Sequence, residues 1–202
     1  MSETESLQKQ TNKLELTEES FKSFLPDYLK FASRLYFTPM DVAKQASLWL
    51  TENNAKRILD IGAGVGKFCI TGASNFDSHF YGVEHRASLS KIGNQIAKHF
   101  ELPNVTILNA NILNIDFSNY DGFYLFNPFY ENLELSKRLN DEVKLAASLY
   151  QVYLKYTDDQ LDKAKKGTRL VTYHGNNFEV PNSYIKENEA FNSTLKLWVK
   201  QD

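Results

Sequence analysis

Short apolar runs alternate along the chain with longer stretches in which apolar residues recur every three or four positions. The runs predict buried β-strands, and the longer stretches predict helices that each bury one face. Five strands are predicted in this alternating part, at 57–61, 79–84, 105–109, 120–126 and 169–174. Two further β-like runs, 184–191 and 195–200, are separated only by a turn at Asn192-Ser193.

The first 54 residues predict a polar tail followed by helices. Residues 1–17 show no apolar stripe, so we expect a poorly ordered tail. A helix is predicted from Glu18 until Pro26 interrupts it. Another is predicted to begin after Thr38, which we interpret as its cap. The buried stripe of that helix is predicted to hold Val42, Ala43, Ala46, Trp49 and Leu50.

Three more helices are expected between and after the strands. One follows the glycine-rich loop at 62–66 and runs to about Ser74. A second follows the strand at 79–84 and places Leu89, Ile92, Ile96 and Phe100 on one face. The third is predicted from about Asp141 to Lys166, with Gly167 as its stop signal. Its core face is predicted to hold Leu149, Val152, Tyr153 and Tyr156.

Strands that alternate with helices predict parallel pairing through right-handed crossovers. The fold class is therefore α/β, with an open, mostly parallel sheet and helices on both faces. The last two strands have only a turn between them, so they must form a closing antiparallel pair. We predict a single domain over 18–202, with extra N-terminal helices at 18–54.

Charge and composition narrow the possible partners and the compartment. Lys and Arg total 23 and Asp and Glu total 25, so the net charge of −2 does not favour nucleic acid as a partner, although it leaves that partner open. The one cysteine, Cys69, excludes an internal disulfide framework and fits a reducing compartment. The sequence has no apolar signal segment and no run long enough to span a membrane. We therefore expect a cytoplasmic protein with no membrane partner.

The strongest chemical signal is the loop Asp60-Ile61-Gly62-Ala63-Gly64-Val65-Gly66, between a predicted strand and a predicted helix. Glycines at the carboxyl end of a strand let the backbone turn tightly and approach a ligand. The dinucleotide fingerprint G-x-G-x-x-G would need its third glycine at Lys67, one position later than Gly66. Glu84 ends the next strand, where a carboxylate accepts hydrogen bonds from ribose hydroxyls. These residues predict a nucleoside-containing cofactor without identifying it.

Four segments resemble motifs I to IV of the class I S-adenosylmethionine-dependent methyltransferases: ILDIGAGVGKF, GVEH, NANILNIDF and FNPFY. The resemblance implies S-adenosylmethionine as cofactor and S-adenosylhomocysteine as product. It implies that Asp60 holds the cofactor's ammonium group and that Glu84 binds its ribose. Gly62 and Gly64 would line the methionine part, and the loop residues Ala63 and Gly66 would also bind the cofactor. Asn111 would read the adenine amino group, with Asn109 and Asn114 as competitors and a simple turn as the alternative.

The segment Asn127-Pro128-Phe129-Tyr130 resembles the N/D-P-P-Y/F motif of methyltransferases that act on amino nitrogens. The resemblance implies that Asn127 accepts a hydrogen bond from the attacking amine and contacts the cofactor. Pro128 stiffens the turn, and Tyr130 stacks on a planar acceptor. Phe129 replaces the second proline, and similar N-x-F turns occur in lysine methyltransferases. At least one of the two aromatics is expected in the core.

Two neighbouring segments are candidates for covering this site. The segment 36–39 resembles one that covers the cofactor in several amino-methyltransferases. Residues 131–145 form an unusually long connection after the acceptor motif, which we interpret as a substrate lid or as an extra surface helix. The four histidines show no metal spacing, so no metal site is expected, and His174 is either a base or an ordinary hydrogen-bonded residue.

The leading hypothesis is methyl transfer to a nitrogen. The acceptor, which is not identified, is a protein side chain, a small molecule or a nucleobase. A NAD(P)-dependent oxidoreductase is a second hypothesis, disfavoured by the glycine spacing. A non-catalytic module that binds S-adenosylmethionine is a third.

Overall fold

The computed structural model describes residues 15–175 and 180–202, and its centre is a seven-stranded sheet. The strands are β1 Arg57–Ile61, β2 His79–Glu84, β3 Val105–Asn109, β4 Gly122–Leu125, β5 Arg169–Tyr173, β6 Tyr184–Ala190 and β7 Leu195–Lys200. All seven predicted strands are present, and β4, β5 and β6 are shorter than predicted by one to three residues. His174 and Phe191, which follow β5 and β6, have positive φ angles of 52°, so the extended backbone ends before them.

The strand order is β3-β2-β1-β4-β5-β7-β6. The pairs within β1 to β5 are parallel, and β7 pairs antiparallel with both β5 and β6. The predicted fold class and its closing antiparallel pair are confirmed. The order reverses between β1 and β4, and such a switch point opens a crevice at the carboxyl ends of the strands.

Helices cover both faces of the sheet. They are α1 Glu18–Ser23, α2 Asp27–Tyr36, α3 Met40–Thr51, α4 Lys67–Ala73, α5 Ala87–His99 and α6 Ala147–Asp162. Helices α3, α4 and α5 contribute to one core cluster, and α6 contributes to another that is rich in aromatic residues. No helix in the described ranges is both long enough and apolar enough to cross a membrane.

The entry to α3 differs from the prediction. Its five predicted core residues are buried, but Pro39 rather than Thr38 occupies the cap position, and no side chain caps the helix. The Thr38 hydroxyl is instead buried and lies 2.8 Å from the Tyr124 hydroxyl on β4. The Thr38 hydroxyl, which would have capped the helix locally, therefore hydrogen-bonds with a residue 86 positions away in the chain.

Helix α6 is shorter than predicted, but three of its four predicted core residues, Leu149, Tyr153 and Tyr156, do pack in the core or against it. It begins at Ala147 rather than near Asp141, and it ends at Asp162, before the predicted stop at Gly167. The residues before it are engaged elsewhere: Ala146 N–H donates to Asn132 Oδ1 at 3.2 Å. Val152, predicted to be in the core, is 48% exposed. The buried residues of α6 are Tyr150, Tyr153, Thr157 and Leu161.

The N-terminal region contains one helix, α2, that the sequence analysis did not place. Helix α1 begins as predicted at Glu18, with Thr17 and Ser20 forming a reciprocal capping box. The predicted polar tail lies outside the described residues up to position 14. Leu16, near the end of the predicted tail, packs against the core.

Candidate functional site

A cleft of about 400 Å³ lies beyond the carboxyl ends of β1 and β4. Its walls come from the glycine loop after β1, the end of β2, the turn after β4, the segment before α3 and the 131–145 segment. Of the residues selected from the sequence, Asp60, Gly62, Ala63, Gly64, Glu84, Asn111, Asn127, Pro128 and Tyr130 line this cleft. The topology therefore brings together residues spread over 71 positions of the chain.

The glycine loop touches the turn after β4. Gly62 has a φ of +79°, and a Cβ built on it would lie 2.6 Å from Pro128 Cβ, so only glycine fits between the two loops. Gly66 has a different role. It does not line the cleft, it begins α4 with a φ of +71°, and a Cβ there would lie 2.5 Å from Ile107 Cδ1.

Asp60 is a buried acid, and no basic side chain of residues 15–175 or 180–202 forms an ion pair with it. Its side-chain hydrogen bond comes from Cys69 Sγ at 3.7 Å, and both residues are almost fully enclosed. Burial raises the pKa of Asp60 to about 8, and the nearby Glu84 carboxylate contributes to the rise, although the bond from Cys69 opposes it. Cys69 is thus a packed side chain, as expected. The carboxyl group of Asp60 lacks a cation that would stabilise its charged form.

The raised pKa of Asp60 predicts a specific pH dependence of stability. Because its folded pKa of about 8 exceeds the unfolded value, Asp60 stabilises the fold at low pH, and this contribution is lost as the pH rises through about 8. We expect the wild-type free energy of unfolding to fall between about pH 5 and pH 8. Asp60→Asn should remove most of that fall, and Asp77→Asn, at an exposed position, should retain it. Urea unfolding across this pH range measures the effect, and equal slopes for wild type and Asp60→Asn would contradict it.

Glu84 connects the loop to the end of β2. Its Oε2 accepts from the Gly64 N–H at 3.0 Å, and its Oε1 accepts from the Arg86 N–H at 2.8 Å. Burial raises the pKa of Glu84, while those N–H groups and the Arg86 guanidinium oppose the rise. A carboxylate has about four acceptor sites, so capacity remains for two hydroxyls in the cleft.

Arg86 is a site residue that the sequence analysis missed. Its buried guanidinium lies 3.8 Å from Glu84, pairs with Glu131 and donates to Asn140 at 3.0 Å. It therefore joins the end of β2 to the 131–145 segment. No local pattern marks Arg86, since both partners in that segment are at least 45 residues away.

Asn111 lines the cleft, and its competitors Asn109 and Asn114 do not. Its Oδ1 accepts from the Leu113 N–H at 3.0 Å, and its Nδ2 donates to the Tyr153 hydroxyl at 3.2 Å. Asn111 therefore forms the turn that was its alternative interpretation. It lines the cleft as well.

The turn after β4 lines the cleft with Asn127, Pro128 and the aromatic residues Phe126, Phe129 and Tyr130. Asn127 has a φ of 41°, and its carbonyl accepts from the Tyr130 N–H at 3.2 Å. Phe129 is buried against Tyr153, with ring centroids 5.4 Å apart, whereas Tyr130 is 45% exposed. The expectation that one of the two aromatics belongs to the core is confirmed for Phe129.

The segment before α3 forms another wall of the cleft through Tyr36, Phe37 and Thr38. Phe37 lies 3.6 Å from the position that a Cβ on Gly64 would occupy. Lys67, which the sequence analysis did not select, also lines the cleft, and its buried ammonium donates to Glu18 at 2.7 Å.

His174 lies outside the cleft lining. It is exposed, and the centroid of its ring lies 4.2 Å from the centroid of the Tyr173 ring. Across residues 15–175 and 180–202, no group of three or more His, Cys, Asp or Glu side chains is arranged to hold a metal ion.

Comparison with solved structures places the fold among methyltransferases. An O-methyltransferase from Bacillus cereus in complex with S-adenosylhomocysteine aligns with a TM-score of 0.58 at 12% identity, covering 93% of each chain. An RNA methyltransferase from Salinibacter ruber, also with S-adenosylhomocysteine, aligns with a TM-score of 0.55 at 18% identity over 82% of this chain and 94% of its own. An S-adenosylmethionine-dependent O-methyltransferase from Thermotoga maritima aligns with a TM-score of 0.53 at 15% identity, over 87% of this chain and 71% of its own. No protein-family model and no curated protein sequence matches.

Proposed function

We propose that this chain, which has the class I methyltransferase fold, is an S-adenosylmethionine-dependent methyltransferase acting on a nitrogen. One observation carries the proposal: the glycine loop with its buried acid packs directly against the Asn127 turn, with Gly62 and Pro128 in contact. A cofactor held by the first element would therefore lie next to an acceptor held by the second.

The residues of the cleft fit this cofactor. Asp60 is a buried acid that lacks a cation, and the cofactor's ammonium would supply one. Glu84 has acceptor capacity left for the two ribose hydroxyls. Asn111 lines the same cleft and would contact the adenine, as the motif order implies. Lys67, already paired with Glu18, would face the cofactor's carboxylate.

The protein's contribution to the reaction is orientation. When bound, S-adenosylmethionine supplies a methyl group on a sulfonium: the acceptor nitrogen forms a bond to that carbon, the carbon–sulfur electron pair goes to sulfur, and the nitrogen then releases a proton to solvent. Asn127 would accept a hydrogen bond from the amine and direct its lone pair toward the methyl group. Positioning of this kind supplies much of the rate in displacement reactions.

The choice of nitrogen rests on the Asn127 turn. Its side-chain oxygen is an acceptor, which suits an amine that carries hydrogens. The Tyr130 ring is 45% exposed and lines the cleft, where a planar acceptor would stack on it. We propose in addition that the 131–145 segment covers the acceptor, because Arg86 holds it against the end of β2.

A ligand-induced shift in melting temperature tests the cofactor assignment. S-adenosylhomocysteine at a concentration well above its Kd should raise the melting temperature by several degrees, because it binds only the folded chain. NAD at the same concentration should leave it unchanged, since the loop lacks the dinucleotide spacing. Equal shifts with both ligands, or no shift with either, would refute the assignment.

A further inference from the structure

The charged side chains of the 131–145 segment divide into two groups. Most have polar partners within the described chain: Glu131 pairs with Arg86, Arg138 with Asp141, Glu142 with Ser88, and Glu134 with Ser136. Lys137 and Lys144 have no carboxylate within ion-pair distance in the described ranges, and both line the cleft. The segment therefore contributes two lysines without a carboxylate partner to the lining of the cleft.

Lys137 is held beside the ring proposed to stack on the acceptor. Its carbonyl accepts a hydrogen bond from the Tyr36 hydroxyl at 2.9 Å, which fixes its backbone against α2. Its Nζ lies 5.8 Å from the centroid of the Tyr130 ring. The ammonium group lies over this ring, so an acceptor that stacks on Tyr130 would have that charge as a neighbour.

The charged residues that line the cleft leave a small excess of positive charge. The lining has four basic residues, Lys67, Arg86, Lys137 and Lys144, and three acidic residues, Asp60, Glu84 and Glu131. Lys67 pairs with Glu18, and Arg86 lies beside both Glu84 and Glu131. The chain as a whole has a net charge of −2, so this positive excess is local.

Apolar residues also line the cleft. Among them are Leu35, Phe126, Leu139, Val143 and Leu145, together with the Tyr130 ring. A cleft of about 400 Å³ with apolar walls and a few charged groups is typical of a site for a small molecule. An apolar wall favours the body of the acceptor, and an ammonium group favours one anionic substituent on it.

We propose that the methyl acceptor is a small planar amine that carries one anionic group, a carboxylate or a phosphate, and that Lys137 binds this group with Lys144 beside it. The proposal rests on the function proposed above, because it assigns the cofactor to the other half of the cleft. It makes Lys137 a specificity-determining residue.

Matched probes test the proposal on the full chain saturated with S-adenosylhomocysteine. The probes are 2-naphthoate, 2-naphthyl phosphate and the neutral 2-naphthamide, titrated by calorimetry. At least one of the two anions should bind about tenfold more tightly than the amide, and the better one identifies the anionic group. Lys137→Gln should abolish most of that preference, and Lys144→Gln should reduce it. Lys155→Gln, at an exposed lysine on α6 away from the cleft, should leave it unchanged.

The outcomes separate this inference from the proposed function. If S-adenosylhomocysteine does not bind, the proposed function fails before any probe is added. If it binds and both anions bind no better than the amide, or no probe binds up to about 5 mM, the inference is overturned while the cofactor assignment stands. A preference that survives the double variant Lys137→Gln with Lys144→Gln also overturns it.

Discussion

Glu84→Ala is expected to weaken S-adenosylhomocysteine binding by at least about 100-fold. The reason is that two charge-assisted hydrogen bonds to the ribose are lost, each contributing roughly 1.5 kcal/mol or more. The Gly64 and Arg86 N–H groups would also lose their acceptor, which loosens the loop that surrounds the cofactor. Isothermal titration calorimetry measures the change.

Two further variants make the Glu84 result specific. Glu84→Gln keeps the shape and one oxygen, so its loss of affinity should be smaller than that of Glu84→Ala. Glu187→Ala removes an exposed carboxylate on β6 and should bind like wild type. Circular dichroism establishes that each variant is folded. A folded Glu84→Ala protein with affinity within threefold of wild type would show that this acid does not hold the ribose.

Asn127→Gly is expected to reduce methyl transfer by at least about 100-fold while S-adenosylhomocysteine affinity stays within about threefold. Glycine suits the positive φ of 41° at this position, so the turn keeps its shape and only the carboxamide is removed. Transfer would fall because the acceptor amine loses the group that orients it. Counting of transferred labelled methyl groups and calorimetry measure the two quantities.

Asn192→Gly is the matched control for this variant. Asn192 also has a positive φ, 54°, but lies in the turn between β6 and β7, outside the cleft. It should transfer methyl groups at the wild-type rate. Full activity in Asn127→Gly would refute the role of the carboxamide, and a joint loss of transfer and cofactor affinity would assign Asn127 to the cofactor instead.

The sheet and the glycine loop could be predicted because their signals are local. Most strands are short apolar runs, and β1 and β2 match the predicted limits. Asp60 and Glu84 could be predicted as site residues from their positions near strand ends, since parallel strands bring their carboxyl ends to one edge of the sheet. The cleft therefore contains most of the residues selected from the sequence.

The features that sequence reasoning missed depend on partners far away in the chain. Local rules predict Thr38 as a capping residue, but its hydroxyl forms a hydrogen bond with the Tyr124 hydroxyl on β4. Helix α2 is the exception, because its amphipathic pattern is strong and local and the sequence reasoning overlooked it. Arg86 gains its importance only when the 131–145 segment folds back onto β2. Such contacts are set by topology, and no local pattern specifies them.

Methyl transfer itself is the most direct test of the account. The purified chain would be incubated with S-adenosylmethionine labelled on its methyl group and with size-fractionated lysate of the source organism, with Asn127→Gly as the blank. The account predicts that label appears in the small-molecule fraction with the wild-type chain and that the blank shows almost none. Equal labelling by wild type and Asn127→Gly, or no labelled product by a chain that binds S-adenosylhomocysteine, would contradict it.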